Sequence, residues 1–358
     1  MQQKTSSFAH CEEDIESVWC EFSNVAFSIP RNAKTEDYNI IMFNNYLSSV
    51  MPTMLFPNSF RHRCCMEEIP GNIAVKQTPG SYDFVNGIAT SEARYKMCGS
   101  TLPGTTYMFS LVNFPQHGHT LHDTAFSLFV TMHEHNHAGA VRFILSNADD
   151  SNIQTIDHLQ QYYPVLHGLL QSLGNKPSNM YILSQFSNQQ LCIDRLVYGL
   201  SSRASFYNSN DFYQMKEKYL QTFLSLYRKT LGFSIMQSPI PQGQRTIHFI
   251  RRKTRVVMNQ KDLVHLCEQH YGYNVIEVSF ETLSLKEQVA FMRNVNVLVG
   301  ATGTGLFNLL FMEKQIPAES QHHIVIFFPY GKLPQFAKNF SQLAVYKKAN
   351  LLCLTTHR

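Results

Sequence analysis

NVLVGATGTGLFN, Asn296–Asn308, carries a short apolar run that breaks into three glycines and then resumes with helical spacing. The pattern reads as strand, tight turn and helix start. Gly300, Gly303 and Gly305 remove side chains where the backbone turns, and amides at the start of the following helix are suited to an anion such as a phosphate. The same glycines would equally serve close packing in a βα turn, so neighbouring segments have to separate the two readings.

Outward from this turn the second part of the chain is regular. TIHFI, a helix around Lys261 to His270, NVIEVSF, a helix from Ser284 to Arg293, VNVLVG, a helix from Gly305 and HIVIFFP follow in order. Four strands alternating with three helices predict βαβ units in a parallel, doubly wound sheet, whose ligands sit at the carboxyl ends of strands. The prolines and glycine of SPIPQGQ, Ser238 to Gln244, mark a linker. Before it lie strand-like Asn39–Phe43, Tyr107–Phe114, Ala140–Leu145 and Asn179–Ser184. A long amphipathic helix over Asp211–Leu231 is predicted from Phe212, Met215, Tyr219, Phe223 and Leu226. The expected division is therefore 1–237 and 238–358, with packing of the final residues back onto the first lobe left open.

Composition narrows the class. The chain of 358 residues is 44% hydrophobic and 12% aromatic, values of a folded globular protein. A net charge of +4 without a dense basic run suits a small anionic ligand better than nucleic acid. Its eight cysteines show no CxxC pairs, which argues against a four-cysteine zinc site and leaves disulfides and buried thiols open. No apolar run has the length of a membrane span, and the first residues lack a signal-peptide core. On this basis the location is cytoplasmic, or the lumen of the ER or Golgi if an anchor lies outside the sequence.

Two further clusters bear on chemistry. HFIRRKTRVVMN places Arg251 and Arg255 just after the first strand of the second half, where planar guanidiniums suit bidentate phosphate contacts. A solvated basic turn is the plain alternative. PQHGHTLHDTAFSLFVTMHEHNH holds six histidines, His117, His119, His122, His133, His135 and His137. The HxHxxH spacing of the first three partly resembles the metal-binding loop of metallo-β-lactamase-like hydrolases. Leu121 stands where that pattern has aspartate, however, and HEHNH reads as a polar helix end or loop.

Taken together, the segments resemble glycosyltransferase family 61. That family pairs an HxxxD segment with RxxxRxxxN, a glutamine and a VGxHGAGLxN turn. Here these are His119 to Asp123, then Arg251, Arg255 and Asn259, then Gln288 in LSLKEQVAFM, then Val299 to Asn308. HTLHD is most similar to the branch of protein O-mannose N-acetylglucosaminyltransferases, grouped with EGF-domain O-GlcNAc transferases and plant xylosyltransferases. WCEFSNVAF, Trp19 to Phe27, is similar to the family's early cysteine-containing segment.

The resemblance implies an α/β chain of GT-B type, two Rossmann-like lobes facing a central cleft. It implies an inverting transferase that needs no metal or other cofactor and moves xylose or N-acetylglucosamine from a UDP-sugar to a glycan or glycoprotein hydroxyl. Arg251, Arg255, Gly300, Thr302, Gly303, Thr304, Gly305 and Asn308 would bind the donor, with His122, Asn259 and Gln288 in support. Asp123 and His119 are the candidates for the base that inversion requires; alternatively, Asp123 caps a helix beginning TAFSLFVTM and His119 only binds substrate. Thr302 replaces the family's histidine and Gln260 an acid, departures that point to an altered donor preference, weaker donor binding or lost activity. An inactive glycan-binding or scaffold protein on the same fold is the main alternative. A dinucleotide-dependent oxidoreductase and a metallohydrolase are the others.

Overall fold

A computed structural model describes residues 100–110, 117–135, 141–147, 155–174, 179–186, 190–198, 217–233, 246–312, 322–328 and 340–355, positions 342 and 346 excepted; before Ser100 it describes strand backbones alone. The chain forms two compact units, one of Met1–Pro115 with His122–Ser205 and the other of Gln116–Leu121 with Phe206–Arg358.

The first unit contains β1 (Phe8–Asp14), β2 (Ser17–Ser28), β3 (Tyr38–Phe43), β4 (Thr53–Leu55), the separate hairpin β5 (Lys76–Thr78) and β6 (Ser81–Asp83), β7 (Ile88–Ala89), β8 (Ser100–Ser110), β9 (Val141–Asn147), β10 (Met180–Ile182) and β11 (Gln190–Tyr198). Nine of these strands join in one sheet, ordered β10-β9-β8-β11-β2-β3-β4, with β1 on β2 and β7 on β3. β8 to β11 run parallel, and β2 continues the sheet antiparallel to β11. The parallel part is thus wound in the order of a Rossmann half, extended by an antiparallel flank. Tyr107–Phe109, Phe143–Leu145 and Leu191–Ile193 are buried at consecutive positions, as strands covered on both faces must be. Helices α1 (Ser127–Glu134), α2 (Ile156–Tyr162) and α3 (Pro164–Gly174) accompany them, and α3 buries Leu166, Leu169 and Leu170 at helical spacing. Cys192 is disulfide-bonded, whereas Cys267 and Cys353 in the second unit are free.

The second unit contains α4 (Glu217–Thr230), β12 (Thr246–Arg251), α5 (Gln260–Gln269), β13 (Asn274–Ser279), α6 (Leu285–Arg293), β14 (Val297–Ala301), a 3₁₀ helix (Thr304–Phe311), β15 (His323–Phe328) and β16 (Asn350–Thr355). Its described strands are all parallel in the order β13-β12-β14-β15-β16. The chain leaves β12 for β13 on one side and returns to β14 on the other, so the winding reverses between β12 and β14.

Several boundaries differ from the sequence reading. α4 belongs to the second unit because its buried Leu220, Phe223, Leu224 and Tyr227 need cover, and Tyr227 stacks on Phe311 with centroids 5.4 Å apart. The longer segment of the second unit accordingly runs from Phe206, ahead of α4. The final strand, absent from the four-strand expectation, pairs parallel along β15. The helix after the glycine turn is 3₁₀ rather than α. Leu306–Met312 are buried on every side, so packing rather than an amphipathic stripe sets its winding.

Candidate functional site

The reversal between β12 and β14 opens a crevice at their carboxyl ends, where side chains from two successive turns can meet. After β12 the chain enters a tight loop in which Arg255 adopts a left-handed backbone, φ 55°, unusual for a residue with a Cβ. That turn lets two guanidiniums converge on one oxygen. Arg252 Nη1 donates to the Thr302 carbonyl at 2.6 Å and Arg255 Nη1 donates to the same carbonyl at 3.1 Å. Thr302 is held there by its own N–H, which donates to the Phe327 carbonyl of β15 at 2.9 Å.

Two like charges aimed at one point are costly unless an anion or dipole lies between them. Among the described residues neither guanidinium is ion-paired, and one carbonyl dipole engages only a fraction of their ten N–H donors. Desolvation pushes the Arg252 pKa below its ordinary value, the neighbouring Arg255 charge pushes the same way, and Glu281 opposes both. The arrangement is one that an incoming anion would stabilise.

The three glycines divide by role. A Cβ on Gly300 would come within 3.2 Å of the Ile250 Cβ, and one on Gly305 within 3.2 Å of the Phe280 ring, so both serve close packing. At Gly303 a Cβ would overlap Arg252 Nη1 and lie 2.5 Å from its Cζ. Gly303 therefore leaves room for a guanidinium. Gly303→Ala is expected both to displace the Arg252 head and to strain the backbone, whose φ of 158° favours glycine, so the melting temperature should fall as well. Removing one charged contact should weaken binding of an anion such as pyrophosphate roughly fivefold, measurable by titration calorimetry.

Beside this pair lies a cavity of about 150 Å³, lined in part by His117, Arg252, Phe280, Glu281, Gln288 and Gly303. Arg251 also lines it, but its side chain is 63% exposed and its Nε lies 3.7 Å from Glu277. The Glu281 carboxylate accepts the Lys253 N–H, which ties the arginine loop to the end of β13. α6 begins with a capping box between Ser284 and Glu287 and carries Gln288 to the cavity. Gln288 accepts from the buried Asn308 at 2.8 Å, and Asn308 Oδ1 is 3.3 Å from His117 Nε2.

Of the residues singled out in sequence, Arg255, Thr302, Gly303, Gly305, Gln288 and Asn308 gather around this crevice, with Arg251 at its rim and Gly300 beneath it. Asn259 is exposed and starts α5, where its carbonyl accepts from Asp262 and Leu263. Gln260, in place of the family's acid, donates to Glu277. Thr304 opens the 3₁₀ helix, its side chain outside the described residues. Thr302 is buried, and the hydrogen bonds identified at it run through its backbone rather than its hydroxyl.

The HTLHD segment belongs to a helical run that starts at His117, passes through a π-helical stretch at Thr120–Phe126 and continues as α1. Asp123 is thus inside the run and does not cap a helix at Thr124. π-Helical insertions frequently mark functional positions because they redirect side chains. The side chains of His119 and Asp123 lie outside the described residues, as does His137; His122 is buried. His117 turns to Asn308 and the exposed His133 donates to the Phe129 carbonyl through Nδ1–H. Among the described residues no three His, Cys, Asp or Glu side chains form a metal cluster.

Arg252 and His117 were missed as site residues by the sequence reading. In RRKTR the RxxxR spacing drew attention to positions 251 and 255, yet Arg251 ends β12 facing outward. Positions 252 and 255, three apart, are the pair that a turn brings together.

Reversed winding, paired guanidiniums and a glycine that admits one of them define an α/β protein with a crevice suited to an anionic ligand. The family profile described as Glycosyltransferase 61 matches residues 117–317, more than half of the chain. The chain belongs to the glycosyltransferase 61 family. It is 29% identical over 142 residues to an EGF domain-specific O-linked N-acetylglucosamine transferase of Drosophila melanogaster, covering 37% of this chain and 26% of that protein. It is 22% identical over 238 residues to protein O-linked-mannose β-1,4-N-acetylglucosaminyltransferase 2 of Canis lupus familiaris, covering 63% of this chain and 37% of the relative. The Homo sapiens protein of the same name is 21% identical over 239 residues, with the same coverage. The chain thus spans between a quarter and two fifths of the length of these curated relatives.

Proposed function

We propose that this chain is an inverting glycosyltransferase that uses a UDP-sugar and builds on a glycan or glycoprotein hydroxyl. The observation that carries this reading is the convergence of Arg252 and Arg255 on the Thr302 carbonyl, beside a cavity at the switch point of a parallel sheet. In such a reaction negative charge grows on the departing diphosphate. Fixed guanidiniums stabilise it without reorganising, so the arginine pair takes the part that a divalent cation plays in other transferases. Inversion is a single displacement in which the acceptor oxygen bonds to the anomeric carbon as the sugar–phosphate bond breaks. The acceptor's proton goes to a base, Asp123 or His119 in this reading.

The names of the relatives favour N-acetylglucosamine over xylose as the sugar, and a GT-B arrangement of the two units suits a donor held by the second. A disulfide at Cys192 fits maturation in an oxidising lumen. Among the described residues no helix is long and apolar enough to cross a membrane. Thr302 in place of the family's histidine favours one other reading, a binding protein without turnover.

A donor panel separates the two. UDP is expected to bind by calorimetry, and one of UDP-GlcNAc or UDP-xylose to release UDP in the presence of an O-mannosyl or EGF-domain acceptor. UDP binding without release across the panel would favour the binding protein, and no binding at all would overturn the nucleotide-sugar reading.

A further inference from the structure

Gln288 sets the direction of a hydrogen-bond chain that ends at the cavity. Its Nε2 donates to two backbone carbonyls, Phe280 at 2.9 Å and Leu283 at 3.1 Å. The flipped amide would press an oxygen against two others, so only one orientation is satisfied. Gln288 Oε1 is then the group presented to Asn308, whose Nδ2 donates to it at 2.8 Å. With its amide hydrogens on that side, Asn308 turns Oδ1 toward His117 Nε2. An amide oxygen only accepts, so His117 Nε2 carries the proton.

A neutral imidazole has one N–H, and Nδ1 is therefore a lone pair. Among the described residues no partner takes it, and His117 lines the cavity that Arg252 also lines. Desolvation lowers the imidazole pKa to about 4, against the upward effect of the Asn308 bond, so the ring stays neutral at pH 7. Such a ring is too weak a base to remove a hydroxyl proton, and it carries no charge to offer a phosphate.

We propose that His117 Nδ1 is a fixed hydrogen-bond acceptor for a sugar hydroxyl of the bound nucleotide-sugar, and that Gln288 and Asn308 are positioning residues that hold it in this tautomer. The proposal rests on the UDP-sugar reading. Diphosphate oxygens carry no proton at pH 7 and would be repelled by the lone pair; they belong to the guanidiniums. The groups bonded directly to a diphosphate on either side are the ribose and the transferred sugar, and both offer hydroxyl donors within one residue's reach of that site.

Two measurements test it on the full chain. Long-range ¹H–¹⁵N spectra, assigned by comparison with His117→Asn, should show a neutral His117 protonated at Nε2. Asn308→Leu, which removes the acceptor from Nε2, should release the ring to populate the Nδ1–H tautomer. In the unaltered chain, a neutral ring protonated at Nδ1 overturns the proposal. Calorimetry with UDP, 2′-deoxy-UDP, 3′-deoxy-UDP, UDP-GlcNAc and UDP-xylose supplies the second arm.

His117→Phe should bind the hydroxyl-bearing ligand roughly tenfold more weakly. His117→Asn, whose Oδ1 falls near the place of Nδ1, should recover part of that loss. A loss already present with UDP and matched by one deoxy-UDP on the unaltered chain assigns the ribose; a loss confined to the UDP-sugars assigns the transferred sugar. Wild-type affinity of a folded His117→Phe for every ligand overturns the proposal. Failure of the unaltered chain to bind UDP overturns the nucleotide-sugar reading and the hydroxyl assignment with it, while the spectra report the tautomer separately.

Discussion

Arg252→Ala is expected to weaken UDP binding roughly 10- to 100-fold, the range of one lost hydrogen-bonded contact to a charged group at about 1.5–3 kcal/mol. The side chain touches the Thr302 carbonyl, fills the space left by Gly303 and borders the cavity, so its loss removes charge from the centre of the crevice. Arg255→Ala should cost less, roughly 3- to 10-fold, because its guanidinium ends on the same oxygen but the residue is exposed and its field is partly screened. Arg251→Ala is the internal control. Its side chain is mostly exposed and lies beside Glu277, where solvent screens its field, so affinity should change by no more than about threefold. Arg252→Lys keeps the charge but not the planar fork, and an intermediate loss is expected. Calorimetry with UDP reads all four, and a larger loss at Arg251 than at Arg252 would reverse the assignment of the pair.

Asp123→Asn should lower turnover roughly 100- to 10,000-fold, the usual contribution of a positioned general base, while UDP affinity stays unchanged. The amide keeps the size of the carboxylate and loses its capacity to take the acceptor's proton. His119→Gln tests the other candidate four residues earlier in the same helical run. The larger fall in acceptor-dependent UDP release identifies the base, and an equal loss of UDP affinity at Asp123 would move that residue to a binding role.

Much of the second unit was legible because its strands carry local signals. Apolar runs at TIHFI, NVIEVS and HIVIFF alternate with helices of clear periodicity, and Ser284 with Glu287 announces a helix start. β16 escaped notice because NLLCLT has no following helix to complete a βα unit. The amphipathic helix expected over Asp211–Leu231 is described from Glu217 to Thr230, positions 211–216 lying outside the described residues, and periodicity does not say which unit its apolar face will cover. The pairing of Tyr227 with Phe311 settles that.

The sequence by itself determined the class of this protein. Alternating strands and helices, a glycine turn, arginines after the first strand and the HTLHD segment together pointed to glycosyltransferase family 61, since each is a local pattern with a physical reason. The tertiary structure decided which side chains act on the crevice. Arg252 rather than Arg251 reaches Thr302, because a left-handed turn at Arg255 rotates the loop; Gly303 makes room while Gly300 and Gly305 pack; and His117 acquires a tautomer from Gln288 and Asn308. These outcomes depend on contacts between residues as far apart as His117 and Asn308, and a hydrogen bond has direction only once both of its partners are in place.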